Sequence, residues 1–216
     1  MRLRAALFVL GAACLPSAIR AEAPTPVPAV ALDSTSRAAV VAAAEGAGLE
    51  APAIRAALAA YRRAVANGAA KRAILTVIDY SLPSHVKRLW VLDLARARVL
   101  AREFVAHGRG SGADVADRFS NRENSYASSL GAFVTGQTYD GKNGLSLRLE
   151  GLDAGVNDRA LDRGIVVHGA WYVSQDMIRR FGRLGRSEGC PALSTVEAPR
   201  IIHLIEGGSV LYAYHS

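Results

Sequence analysis

The hydrophobic spacing of this chain changes once, just after Gly68, and no all-helical or all-strand fold accommodates both sides of the change. Up to Asn67 the apolar residues repeat at helical spacing: Ile54, Ala57, Leu58, Tyr61 and Val65 form one stripe, with Arg55, Arg62 and Arg63 largely opposite. A first helix near 36–45, a break at Gly46 and Gly48, and a second helix near 52–67 closed by Gly68 predict a helical hairpin over 33–68. From Ala73 the texture is β. A-I-L-T-V-I-D-Y is followed by R-L-W-V-L-D-L and V-L-A-R-E-F-V-A-H, the last two joined as a hairpin around Ala95 to Arg98. Leu145 and Leu147 alternate as a further strand, Ile165 to His168 is a short apolar run, and S-V-L-Y-A-Y-H reads as the strand that closes the sheet. This order predicts an α+β fold, mainly β, with short helices among the later strands.

With 216 residues, half of them hydrophobic, the chain suits one main domain over 70–216 with the hairpin as an appendage. Residues 1–23 have the charged start, short apolar core and small-residue exit of a secretory signal, with cleavage expected after Ala21 or Ala23, and 24–32 is a Pro-rich linker. The apolar core is too short to span a bilayer, so no transmembrane anchor is expected after cleavage. Cys14 is a poor match to a lipidation site. It leaves with the signal, and Cys190 is then the only cysteine, unable to form an internal disulfide in an oxidising compartment. Cleavage after Ala21 also removes Arg2, Arg4 and Arg20, which lowers the net charge from +7 to +4. That excess suits an anionic cell envelope. No aromatic-basic motif, zinc spacing or phosphate loop is present, so neither nucleic acid, nor a metal, nor a cofactor is expected.

Chemistry concentrates between Arg163 and Ser194. His168 ends an apolar β run, and Cys190 stands on a Gly-flanked loop after an intervening helix. An imidazole within reach of a thiol takes its proton and stabilises the thiolate, the reactive form. Gly189 removes the side chain ahead of the sulfur, and the N–H groups of Gly189 and Cys190 are candidates to hold a developing oxyanion. The plain alternative is a buried structural Cys beside an unrelated core His. The spacer helix has Ser174 as N-cap, Met177, Ile178 and Phe181 on an apolar face, and Gly182 as stop. Arg183 and Arg186 approach the Cys loop as candidate carboxylate holders, weighed against solvated surface arginines. His107, in H-G-R-G-S-G, either lines a cleft or sits in an exposed turn; Trp171 is a further candidate substrate contact.

The pattern His168-Gly169, helix, Ser187-Glu188-Gly189-Cys190 resembles the L,D-transpeptidase catalytic domain, the YkuD-like family, whose signature is His followed by Gly or Ser and then Ser/Thr-x-Gly-Cys. S-S-L-G-A-F-V-T-G (128–136) and G-L-S-L-R-L-E-G-L (144–152) add to the resemblance, which covers about 70–214. It implies a mainly β sandwich and an exported enzyme of the periplasm or cell envelope. Its substrates would be peptidoglycan stem peptides: Cys190 forms a thioester, D-Ala leaves, and an amine acceptor resolves the intermediate. It also implies that the Gly169 carbonyl orients His168, that Ser187 shapes the loop, and that a carbapenem adds covalently at Cys190. Two positions depart from the family: Glu188 stands where His is usual, and Ala192 where Asn or Arg is usual. The alternatives are L,D-carboxypeptidase or endopeptidase activity, with water as acceptor, and a non-catalytic wall-binding protein.

Overall fold

The computed structural model describes residues 27–216, so the signal segment and the start of the Pro-rich linker lie outside the described residues. Two helices come first, α1 (Ser34–Gly46) and α2 (Ala51–Ala66), followed by β1 (Ile74–Asp79), β2 (Leu89–Asp93), β3 (Arg98–Glu103), β4 (Gly131–Gly141), β5 (Gly144–Gly151) and β6 (Val166–Gly169). The chain then runs through α3 (Gln175–Phe181), β7 (Ala192–Leu193), α4 (Ala198–Ile205) and β8 (Val210–Tyr214). This is the expected α+β class.

The Asp33 carboxylate caps α1 by accepting from the Ser36 N–H at 2.7 Å, and α2 opens with a proline in its first turn, where no intrahelical N–H is needed. The stripe of Ile54, Ala57, Leu58 and Tyr61 is buried, and it shares one core with Leu75, Val77, Trp90, Leu92 and Val210. Trp90 also donates its indole N–H to the Ala47 carbonyl between the helices, at 3.0 Å. The hairpin is therefore packed onto one face of the sheet.

All eight strands belong to one sheet, in the order β3-β2-β1-β8-β4-β5-β6-β7. Only the β1–β8 and β6–β7 pairs are parallel. Beyond β3 the chain crosses to the opposite edge, where Ala106 bridges Ala192 and Gly108 bridges Ser187. The two faces expected of a sandwich thus belong to a single sheet curled until its edges meet. Its interior holds Ile78, Val91, Phe133, Leu149 and Val167 together with Ile201, Ile202 and Ile205 of α4. Each such side chain contributes about 1.5–3 kcal/mol by leaving water.

One strand is absent from the sequence reading. The resemblance implies a Gly-containing turn at Ser129 to Phe133, whereas β4 starts at Gly131, runs to Gly141 and pairs with both β5 and β8. Its inner half buries Ala132, Phe133 and Thr135, but its outer half projects as a half-exposed hairpin. There the apolar alternation that marks a strand fades.

Candidate active site

Ser187 folds the Cys loop on itself: its hydroxyl donates to the Cys190 carbonyl at 2.6 Å and accepts from the Gly189 N–H at 3.1 Å. The segment after β3 holds the loop from outside. The Ser187 N–H donates to the His107 carbonyl (2.9 Å), the Arg109 N–H to the Ser187 carbonyl (2.8 Å), and the Ala106 N–H to the Ala192 carbonyl (2.8 Å). A second strap comes from Ser128, whose hydroxyl accepts from the Gly108 N–H and donates to the Gly189 carbonyl, both at 3.0 Å.

Gly189 has φ +125°, and a β-carbon there would stand 2.9 Å from the Ala127 carbonyl oxygen. The neighbouring backbone alone therefore requires a glycine here. Its N–H is already given to Ser187, so of the two expected oxyanion donors only that of Cys190 is left without an acceptor among the described residues.

His168 lies across from Ala192 in the parallel β6–β7 pair, and Cys190 precedes Ala192 by two residues, roughly 7 Å along the strand direction. Thiol and imidazole thus stand on adjacent segments of one sheet edge. The Nδ1–H of His168 donates to the Gly169 carbonyl at 2.9 Å, which leaves Nε2 as the basic nitrogen of the neutral ring. The sulfur accepts from the Val166 N–H at 3.4 Å and faces the Gly164 carbonyl at 3.7 Å; the imidazole is not among its hydrogen-bond partners. Burial pushes the Cys190 thiol up, partly countered by the Val166 N–H, Arg163 and Lys142, while Glu188 pushes it further up. Burial likewise holds His168 below the usual imidazole range, although its bond to Gly169 works the other way. Both shifts favour a neutral thiol–imidazole pair at rest.

The expected substrate contacts separate. His107 is fully buried: its Nδ1 accepts from Arg88 Nη2 at 2.7 Å and its Nε2–H points to the Gly112 carbonyl at 3.4 Å. It lines no accessible cleft and works as support under the loop. Arg88, also fully buried, donates further to the carbonyls of Val105 and Leu82. Arg183 is bonded to the Leu184 carbonyl and Arg186 to the Gly112 carbonyl, and the cations that bear on the thiol are instead Arg163 and Lys142. Trp171 is 74% exposed and packs edge-on against Tyr172 at 5.9 Å. Glu188 faces outward and pairs with Arg109 at 3.3 Å; that guanidinium lies 3.9 Å from the centre of the Tyr126 ring.

The site is not marked by size. A cavity of about 780 Å³ lies between α1 and α2 and has no lining residue in the Cys loop. Among the described residues, no three His, Cys, Asp or Glu side chains gather as a metal site.

The fold is thus a curled α+β sheet that carries a strapped Cys loop and, on the neighbouring segment, an imidazole of fixed tautomer. The chain belongs to the L,D-transpeptidase catalytic domain family, whose model matches residues 45–214. Among curated proteins none matches. Solved structures similar to it include an L,D-transpeptidase from Mycobacterium smegmatis (16% identity, 67% of this chain and 62% of that one, TM-score 0.40). L,D-transpeptidase 1 from Mycobacterium tuberculosis is another (15%, 66% and 61%, TM-score 0.37). A third is the helical cell shape determining protein Pgp2 from Campylobacter jejuni (12%, 67% and 48%, TM-score 0.43). The chain therefore spans less than two thirds of the length of each of these three.

Proposed function

We propose that the protein is an exported cysteine acyltransferase acting on peptidoglycan stem peptides, with Cys190 as nucleophile and His168 as base. The observation that carries this reading is the fixed tautomer of His168: with its Nδ1 proton committed to the Gly169 carbonyl, Nε2 is free to take a proton on the sheet edge that carries Cys190. The Gly169 carbonyl thereby does what the carboxylate does in a Ser-His-Asp triad. His168 Nε2 removes the thiol proton as the sulfur attacks the carbonyl between the L-centre of the third stem residue and the terminal D-Ala. The Cys190 N–H donates to the oxyanion, the imidazolium returns its proton to the departing D-Ala amine, and a thioester remains. An acceptor amine attacks the thioester, gives a proton to His168 and leaves a new amide bond, with the thiol restored. Ser187 keeps the loop folded, and exposed Trp171 stands as a substrate contact two residues beyond Gly169. The sequence of residues 1–23 and the basic balance of the remainder support action at the cell envelope. No helix among the described residues is long and apolar enough to cross a membrane.

The test is incubation with disaccharide tetrapeptide and mass analysis of the products, for wild type and Cys190→Ala. Crosslinked dimers from wild type alone are expected. Tripeptides without dimers would reassign the acceptor to water, and no product together with no carbapenem adduct at Cys190 would leave a wall-binding protein.

A further inference from the structure

One half-buried cation beside Cys190 has no task in the proposed acyl transfer. Arg163 ends the turn segment ahead of β6. Its guanidinium is bound to the stretch that crosses over the Cys loop: Nη1 donates to the Ser120 carbonyl at 2.6 Å and to the Ser129 hydroxyl, and Nη2 to the Ala127 carbonyl at 2.6 Å and the Ser125 hydroxyl at 3.3 Å. The Ala127 oxygen and Arg163 Nη2 both crowd Gly189, lying 2.9 and 3.3 Å from where its β-carbon would stand. The next residue, Gly164, supplies the carbonyl that faces the sulfur. Guanidinium, Gly189 and sulfur therefore occupy one packed corner.

A guanidinium stays charged at any working pH, and four acceptors prevent this one from swinging into solvent. In a partly buried corner its field is screened far less than that of a surface lysine. We propose that Arg163 is the positioning residue of the nucleophile, pinning 120–129 against the Cys loop and setting a fixed positive charge beside the sulfur that stabilises the thiolate once His168 has taken the proton. This rests on the reading of Cys190 as nucleophile.

The other groups facing the thiol do not duplicate that role. Lys142 stands exposed at the β4–β5 turn, and Glu188 carries the opposite charge. Tyr80, after β1, and Tyr172, after β6, are both pushed up to about 12, chiefly by burial, and so stay neutral. His168 is neutral at rest.

The experiment is the pH dependence of Cys190 alkylation by iodoacetamide on the full chain, for wild type, Arg163→Met and Arg163→Lys. The Met profile is expected to move to higher pH, with alkylation at pH 7 slower by on the order of tenfold, about one unit of thiol pKa. Lys keeps the charge but loses the fork, and is expected to stay within about threefold of wild type. Superimposable wild-type and Met profiles overturn the proposal, as does a Lys profile that coincides with Met. If the Met variant does not fold, a folded Lys variant slower than wild type by tenfold or more overturns it on its own. Tetrapeptide turnover separates this inference from the proposed function. Turnover with an unshifted thiol removes Arg163 and leaves acyl transfer, whereas a shifted thiol without turnover, wild type included, removes acyl transfer and leaves the effect of Arg163.

Discussion

His107 is held neutral by its surroundings, and the cost of charging it links folding to pH. Burial and the adjoining Arg88 guanidinium hold it down to about 4, against about 6.5 in an unfolded chain. As pH falls the unfolded chain takes up the proton first. The stability contribution is therefore complete above about 6.5, is lost as pH drops from there towards 4, and changes no further below, a loss of about 3 kcal/mol in all. Urea midpoints at pH 7 and pH 4.5 should show it, and His107→Asn, which keeps an acceptor for Arg88 but does not titrate, should depend less on pH. An equal pH dependence in the two proteins would count against this account. The sequence singled out Cys190, His168, Gly169 and Ser187 as candidates because their pattern is compact. It did not disclose the contacts of Arg88, His107 or Arg163, since each is defined by distant partners, as far apart in sequence as the 43 positions from Ser120 to Arg163.

Among the elements, α3 was the most legible: Ser174 caps it through the Met177 N–H at 3.3 Å, and Gly182 closes it in the left-handed conformation at φ +69°. Local rules suffice there. They fail for β7, whose two residues carry no periodicity and are strand only because β6 and Ala106 pair with them. Helix α4 lies between these cases. Its proline sits in the first turn, where no intrahelical N–H is needed, and its Ile201, Ile202 and Ile205 fill the sheet interior. Ile202→Ala is expected to lower stability by about 2–4 kcal/mol through loss of burial and the cavity left behind. Chemical denaturation measures that loss, while alkylation of Cys190 in the folded variant should keep the wild-type rate.

At the scale of the molecule, the site stands on the seam where the sheet meets itself. Gly108 is the tightest point there, since a β-carbon on it would come within 2.7 Å of the Gly189 α-carbon. Gly108→Ala is expected to part the seam, with faster hydrogen exchange at the Arg109 and Ser187 amides and at least tenfold lower turnover. Unchanged exchange at both amides would show that the seam tolerates a methyl group. No stretch of sequence announced this closure, because it joins residues 106–108 to 187–192 across some 80 positions. The seam also restricts how a substrate can approach. Because β6 and Ala106 already occupy both flanks of β7, the strand that follows Cys190 offers no row of unpaired amides on which an extended polypeptide could align.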